Sequence, residues 1–363
     1  MDLYIYGAGK AGKEALADFE SCNDGKYQLN SFIDRNFGTT YKSYKICSIE
    51  EVDSKDAVIV VAVRDLSMQK EIYCMLYSKG YRNLFLYLPR LAQGSGEDFL
   101  EKCCISMADW GEEILPRVEM HISDWCNLNC RGCTHFSPIF SKDFPDFEDR
   151  IKDVVLLKEK FSHIIRLDIL GGEPLLNPEI GKYCTRMREL LPTTDLWLVT
   201  NGLLIPKLSE DILKLIKENH ILICISEYEP THKIIDKIVA ILNKAGICYN
   251  LRPYDIKTKF NRPLSLSSNS KYPKMCISNG CVNIYKGKIA RCPTLMYIDE
   301  FNQKFGTNLP NDGIISLDDD IRGNELLQSL QEEVPLCKHC VKNEIEWSSC
   351  GNEPMLSDFA SEK

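Results

Sequence analysis

Apolar and polar positions along the chain follow two rhythms. Over residues 1–90, short apolar runs (LYIY, LNSFI, AVIVV, LFLYL) alternate with stretches of helical period, KAGKEALADFE and DLSMQKEIYCMLYSKG. The short runs predict buried strands and the periodic stretches predict helices, punctuated by glycine and proline. Such alternation implies a parallel sheet covered on both faces. Residues 91–115 break the rhythm: QGSGEDF has the composition of a linker, and the segment 97–113 predicts a connecting helix carrying the adjacent Cys103 and Cys104, to which no role is given.

From 116 the alternation restarts. PRVEMHIS, IIRLDIL, DLWLVT, ILICIS and ICYNLR predict strands, with helices between them at FEDRIKDVVLLKEKF, EIGKYCTRMRELL, SEDILKLIKEN and HKIIDKIVAILNKAG. Each unit takes roughly 30 residues, the size of a βα repeat. The count falls short of the eight strands and ~250 residues of a closed barrel, so an open, partial barrel is expected. The fold class is therefore α/β: a partial (β/α)6 TIM-like barrel over 116–255, a small Rossmann-like parallel-sheet domain over 1–90, a linker over 91–115, and a cysteine-rich domain over 256–363. The polar stretch 257–272 predicts a mobile loop.

Composition narrows the function. The chain has 363 residues, 44% of them hydrophobic and 26% charged, within the range of globular proteins. No apolar run approaches the ~20 residues of a membrane span, and MDLYIYGAGKAG lacks the form of a signal peptide. A cytoplasmic location without a membrane partner is expected. A net charge of −8 argues against nucleic acid as the partner. The 17 cysteines change the picture most, because a reducing compartment does not maintain structural disulfides and clustered cysteines there point to metal or catalysis. The isolated Cys22, Cys47, Cys74, Cys184, Cys224 and Cys248 read as small buried hydrophobes.

In SDWCNLNCRGCTHFSP, Cys126, Cys130 and Cys133 form CxxxCxxC on a loop after the first barrel strand. Three thiolates leave one iron of a four-iron cube without a protein ligand. The same three with His135 would make a four-ligand zinc site. Two further strings end the following strands, GGEP at 171–174 and TNG at 200–202. With CxxxCxxC, they make residues 117–252 resemble the radical S-adenosylmethionine (SAM) superfamily. That resemblance implies a 4Fe–4S cluster on Cys126, Cys130 and Cys133. It also implies SAM contacts at Gly171, Gly172, Glu173, Pro174, Thr200 and Asn201, with Ser226 and Arg252 at later strand ends. The family's chemistry would be reductive cleavage of SAM to a 5′-deoxyadenosyl radical that abstracts hydrogen from a substrate, with an electron donor such as flavodoxin or ferredoxin. Gly132 departs from the aromatic or aliphatic residue that the family often places near adenine.

A second cysteine group holds Cys276, Cys281, Cys292, Cys337, Cys340 and Cys350. The order Cys276, GKIARC ending at Cys292, then CKHC resembles the Twitch and SPASM domains appended to many radical SAM enzymes. That resemblance implies one auxiliary 4Fe–4S cluster on Cys276, Cys292, Cys337 and Cys340, two clusters in all, with Cys281 and Cys350 in reserve. A zinc ribbon pairing Cys276/Cys281 with Cys337/Cys340 is the rival reading. GAGKAG at 7–12 matches G-x-G-x-x-G between a strand and a helix, and Asp34 follows 22 residues after Gly12. Gly7, Gly9, Gly12 and Asp34 are thus candidates for a nucleotide or diphosphate, against a docking domain that binds nothing.

The reading that results is an oxidoreductase-type radical enzyme acting on a small molecule, possible substrates including a nucleotide-linked sugar. Its alternatives are a maturase of ribosomally made peptides and a non-catalytic zinc- and nucleotide-binding protein. No catalytic residue is assigned; Glu227, Tyr228, Arg252, Tyr254 and His135 are candidates for the mouth of the site.

Overall fold

The structure, a computed structural model, describes residues 1–22, 25–92, 98–261, 264–268, 276 and 280–361. The chain folds as two compact units, Met1–Pro116 and Arg117–Lys363.

The first unit is a sheet of β1 (Asp2–Tyr6), β2 (Gln28–Ile33), β3 (Thr40–Tyr41), β4 (Tyr44–Cys47), β5 (Val58–Val61), β6 (Leu84–Tyr87) and β7 (Cys104–Ser106) in the order β3-β4-β2-β1-β5-β6-β7. β5, VIVV, is buried at every position, as a central strand covered on both faces must be. Helices α1 (Lys10–Cys22), α2 (Leu66–Ser78) and α3 (Phe99–Cys103) complete it. Asp65 caps α2 by accepting from Met68 N. Part of the segment expected to be a linker belongs to this sheet instead. Phe99 is buried edge-on to Phe19 at 5.3 Å, and β7 pairs antiparallel with β6. The physical cause is the apolar content of Phe99, Leu100, Cys103 and Cys104, all buried. Residues 93–97 of the expected linker lie outside the described residues.

The second unit is built on β8 (Ile114–Ser123), β9 (His163–Gly171), β10 (Asp195–Thr200), β11 (Leu222–Ser226) and β12 (Tyr249–Arg252). Between them run α4 (Phe147–Lys160), α5 (Ile180–Leu190), α6 (Glu210–Glu218), the short α7 (Glu229–His232) and α8 (Ile235–Ala245). Asp146 and Ser209 cap α4 and α6, and Gly246 ends α8 in the left-handed region at φ 66°. Further along come α9 (Tyr254–Lys257), β13 (Lys259–Asn261), β14 (Leu264–Ser265), β15 (Asn283–Tyr285), β16 (Lys288–Ala290), α10 (Pro293–Met296), α11 (Ile298–Phe305), β17 (Ile315–Ser316), α12 (Gly323–Gln331), β18 (Glu344–Glu346), α13 (Leu356–Phe359) and β19 (Ala360–Ser361). The sheet order is β12-β11-β10-β9-β8-β15-β16-β17, with β9 to β12 parallel and β15 parallel to β8. The parallel α/β barrel is thus open, and its sixth parallel strand, β15, comes from beyond residue 255.

Two expectations are corrected here. Residues 259–261 and 264–265 are not loop: β13 pairs with β18 and β14 with β19, so C-terminal strands satisfy their backbone groups. Residues 262–263 and 269–272 of that stretch lie outside the described residues. Cys248 is exposed rather than buried, while Cys47, Cys184 and Cys224 are buried. A second apolar core gathers Phe136, Leu264, Tyr297, Phe301, Leu336 and Phe359, so the loop after Cys133 is anchored among C-terminal side chains.

Candidate active site

The root of the CxxxCxxC loop is set by backbone packing. Gly172 N donates to Ser123 O at 2.7 Å and Glu173 N to Trp125 O at 3.0 Å. This approach leaves no room for side chains: a Cβ on Gly171 would lie 2.0 Å from Ser123 O, and one on Gly172 2.1 Å from Trp125 O. The paired glycines let the end of β9 lie directly against the chain that leads into Cys126.

The C-terminal segment grips the other side of the loop. Arg131 N donates to Ser348 O (2.9 Å), Cys350 N to Asn129 O (2.8 Å), and Gly132 N to Asp358 O (2.9 Å). Arg131 Nε pairs with Asp358 Oδ1 at 2.8 Å. The indole Nε1 of Trp347 donates to Cys130 Sγ at 3.1 Å.

Cys126, Cys130 and Cys133 line one cavity of about 310 Å³. Gly171, Gly172, Thr200, Asn201, Ser226 and Arg252, from four successive strand ends, line the same cavity. Glu173 and Pro174 do not; both are buried beneath it. Glu173 accepts from Thr200 Oγ1 (2.6 Å), Asn201 N (2.8 Å) and Leu175 N (3.0 Å), so its carboxylate ties the end of β10 to the end of β9. Burial outweighs these three donors and pushes its pKa up to about 7.

The donor set around the thiols suits thiolates. Burial pushes Cys126 up to about 12, yet Leu128 N (3.5 Å) and Asn201 Nδ2 (3.8 Å) already point hydrogen at its sulfur. Burial also raises Cys130, against the Trp347 indole. At Cys133 burial acts upward, but His135 and the amides of Ser137 and His135 together outweigh it and leave the thiol lowered. Among the described residues no three His, Cys, Asp or Glu side chains are gathered as a single ion would need. Three thiols on one cavity, each with N–H donors, fit a cluster in which each ligates its own iron.

The remaining lining comes from residues that sequence reading passed over or left open. Arg117 and Glu119 line the cavity from β8. Arg117 Nη2 bonds Asp168 Oδ2 and Glu119 Oε1, both at 2.6 Å, and Asn283 Nδ2 donates to Glu119 Oε2 at 3.0 Å. Polar residues at every second position of RVEMHIS, at 117, 119, 121 and 123, were the available signal. His135 and Ser137 both line the cavity, flanking Phe136, which is fully buried at a left-handed φ of 51°. His135 Nε2 stands 3.4 Å from Glu119 Oε2, and Ser137 Oγ is buried with no hydrogen-bond partner among the described residues. Tyr228, Lys257 and Lys259 complete that side. Glu227 is engaged elsewhere, with His232 Nδ1 at 2.6 Å and Tyr254 N at 3.1 Å.

In the second cysteine group, burial pushes Cys292 up to about 12, and the charges of Cys276 and Cys337 add to it. Burial likewise raises Cys340, helped by Cys292, Cys337 and Cys276. These four therefore share one neighbourhood. Cys281 lies instead 3.6 Å from Arg117 Nη1, and the Cys350 thiol donates to Asn129 O at 3.1 Å, beside the first loop.

In the first unit, Gly7 and Asp34 line a separate cavity of about 500 Å³ with Tyr6, Arg35, Asn36 and Met68. Gly9 and Gly12 are not in that lining; a Cβ on Gly12 would meet Gly7 O at 1.7 Å, so Gly12 serves the packing of α1 on β1. Asp34 accepts from Ala8 N (2.8 Å) and Asn36 N (3.0 Å), holding the glycine loop.

A family profile described as the radical SAM superfamily matches residues 120–247. This segment is a radical SAM domain. The superfamily works with a 4Fe–4S cluster and SAM. Among curated proteins, the chain is similar to GTP 3′,8-cyclase of Clostridium acetobutylicum, with 29% identity over 161 residues, 42% of this chain and 49% of that protein. It is also similar to GTP 3′,8-cyclase of Lactiplantibacillus plantarum, with 31% identity over 99 residues, 26% of this chain and 29% of that protein. The chain thus spans at most about half the length of these relatives. A solved structure of BtrN in complex with AdoMet and 2-DOIA aligns over 62% of this chain and 92% of its own, at 15% identity and a TM-score of 0.38. No helix of the described residues is long and apolar enough to cross a membrane.

Proposed function

We propose that this radical SAM protein abstracts hydrogen from a small polar substrate in the 310 Å³ cavity, holding its first cluster on Cys126, Cys130 and Cys133. The observation that carries this reading is the meeting of those thiols with Gly171, Gly172, Thr200, Asn201, Ser226 and Arg252 on one cavity. When bound, a 4Fe–4S cluster with one iron free of protein ligands supplies the electron that cleaves SAM to the 5′-deoxyadenosyl radical. The residues of the chain hold and orient. The backbone at Gly171 and Gly172 admits the methionyl end, and Glu173 fixes Thr200 and Asn201 from below. Ser226 and Arg252, paired in register across β11 and β12, offer a hydroxyl and a cation to a carboxylate. An auxiliary cluster on Cys276, Cys292, Cys337 and Cys340 would be closed to substrate by its four thiolates and would carry electrons, with flavodoxin or ferredoxin as the external donor.

A small substrate is favoured over a peptide by the charged lining from Arg117, Glu119 and His135. The relatives named GTP 3′,8-cyclase act, by name, on a nucleotide, which agrees with a nucleotide-linked substrate.

Anaerobically reconstituted protein given dithionite and SAM should release 5′-deoxyadenosine, measured by chromatography. Absence of this product from iron-replete protein across several reductants would refute the reading. Wild-type protein should hold about eight irons, and the triple variant C126A/C130A/C133A about four with no product. One zinc with about four irons in the wild type would replace the auxiliary cluster by a zinc ribbon.

A further inference from the structure

We propose that Lys257 and Lys259 form a subsite for an oxyanion of the substrate, a phosphate or a carboxylate, in the cavity that holds the three cysteines; this rests on the functional reading above. Among the described residues the cavity lining contains four Lys or Arg cations, Arg117, Arg252, Lys257 and Lys259, and a single carboxylate, Glu119, beside which His135 stands at 3.4 Å. Arg117 is already neutralised by Asp168 and Glu119. Arg252 and Lys257 have no carboxylate within 4.0 Å among the described residues, and Lys259 reaches Glu344 only at 4.0 Å, in an exposed pair that binds weakly. Lys257 is half-buried, its Nζ 5.8 Å from the centre of the Tyr228 ring. Burial and then the charge of Arg252 both lower its pKa, as expected of two cations held near one another without an anion.

The cofactors do not supply the missing charge. A 4Fe–4S core of charge +2 with three thiolates carries −1. SAM with its amino group neutral, as an amine that ligates iron must be, would carry 0, so the two together would carry only −1 against the three cations Arg252, Lys257 and Lys259. The SAM carboxylate matches one cation, Arg252, beside Ser226. Lys257 and Lys259 are left over, in a chain whose net charge is −8. Both lysines also border a second cavity that carries Glu229 and Glu346, but neither carboxylate is paired with them among the described residues, which leaves an anionic substrate as a candidate to neutralise them.

Their position suits that role. Thr258, between the two lysines, accepts from Trp347 N at 2.7 Å, and the indole of the same Trp347 donates to Cys130 Sγ at 3.1 Å. Tyr228 packs against both Phe260 and Trp347, at 5.6 and 5.9 Å. The lysine segment is therefore pinned one residue away from a cysteine of the first loop. An anion held there would keep the rest of its molecule within the cavity.

The test uses the full chain, anaerobically reconstituted and loaded with SAM, titrated calorimetrically with inorganic pyrophosphate and separately with succinate. Saturable binding of at least one probe is expected, weakening with added salt and falling at least tenfold in K257A/K259A and in the milder K257Q/K259Q. Preference for pyrophosphate assigns the subsite to phosphate, and preference for succinate assigns it to carboxylate. The proposal is overturned if neither probe binds wild-type protein, or if both double variants bind like wild type. It is also overturned if SAM affinity falls by the same factor as probe affinity, since the lysines would then serve the SAM carboxylate. Failure of the functional reading looks different: 5′-deoxyadenosine would be missing from wild-type protein before any probe is added.

Discussion

Replacing Gly172 by alanine tests whether the second strand positions the cysteine loop by backbone contact. The new Cβ would lie 2.1 Å from Trp125 O, 2.2 Å from Trp125 C and 2.7 Å from Cys126 N. All three are backbone atoms, so no rotamer change relieves the clash. The loop root must move by roughly 1 Å, in an interior that packs like a crystal. The move sacrifices the bond from Glu173 N to Trp125 O, 3.0 Å in the native chain. Overpacking and one lost hydrogen bond sum to about 2–4 kcal/mol. Gly181, in α5, is the control. Its Cβ would meet only the methyl tips of Ile212 and Leu215 at 3.0 Å, which can turn aside. Alanine in a helix also gains about 1 kcal/mol over glycine, so G181A should stay within about 1 kcal/mol of wild type. Urea denaturation gives the stabilities, and iron per chain after anaerobic reconstitution reports the loop. G172A should lose both stability and the first cluster's share of iron, whereas G181A should keep both. A G172A protein with wild-type stability and full iron would refute the reasoning.

Two further outcomes follow from the same geometry. Trp347→Phe keeps the ring stack on Tyr228 but removes the hydrogen bond to Cys130. The midpoint potential of the first cluster, followed by electron paramagnetic resonance, should become more negative by about 60 mV, a tenfold change for one electron; an unchanged potential would show that the indole contributes only packing. Glu173 has a folded pKa of about 7, raised from 4.5. Its burial therefore costs nothing below about pH 4.5, and the cost grows to about 3 kcal/mol as pH rises through 7. The stability of wild type relative to E173Q should fall by that amount between pH 4 and pH 8 in urea melts, and a flat difference would remove the assignment.

The regular parts of the fold were legible because they are local. Apolar runs such as VIVV and the periods of α5 and α8 follow from a few consecutive residues. So did the strand ends that carry Gly171, Thr200, Ser226 and Arg252, because each motif abuts the strand that positions it. What escaped is non-local. Whether 99–106 is linker or edge strand depends on β6 offering a free edge, and whether 259–261 is loop or strand depends on residues 344–346. Trp347 stands 217 residues from the sulfur it touches, with nothing in its neighbours to mark it. Glu173 was expected at the cavity surface because its motif is; its three donors draw the carboxylate beneath instead.

The same distinction accounts for how the cysteine loop is held. A loop that brings three thiols to one cavity has no regular hydrogen-bond ladder of its own, so its backbone groups need partners from elsewhere. One set comes from Gly171–Glu173, the other from residues 347–351 and Asp358. HFSP joins the two. Phe136 inserts into the C-terminal aromatic core, 4.8 Å from Phe301 and 5.8 Å from Phe359, while His135 and Ser137 on either side reach the cavity. A left-handed residue that is not glycine is costly, and the buried ring supplies the packing that holds it there. The segment therefore both turns the chain and lines the cavity, and the C-terminal core that receives Phe136 is part of what positions the residues around the three thiols.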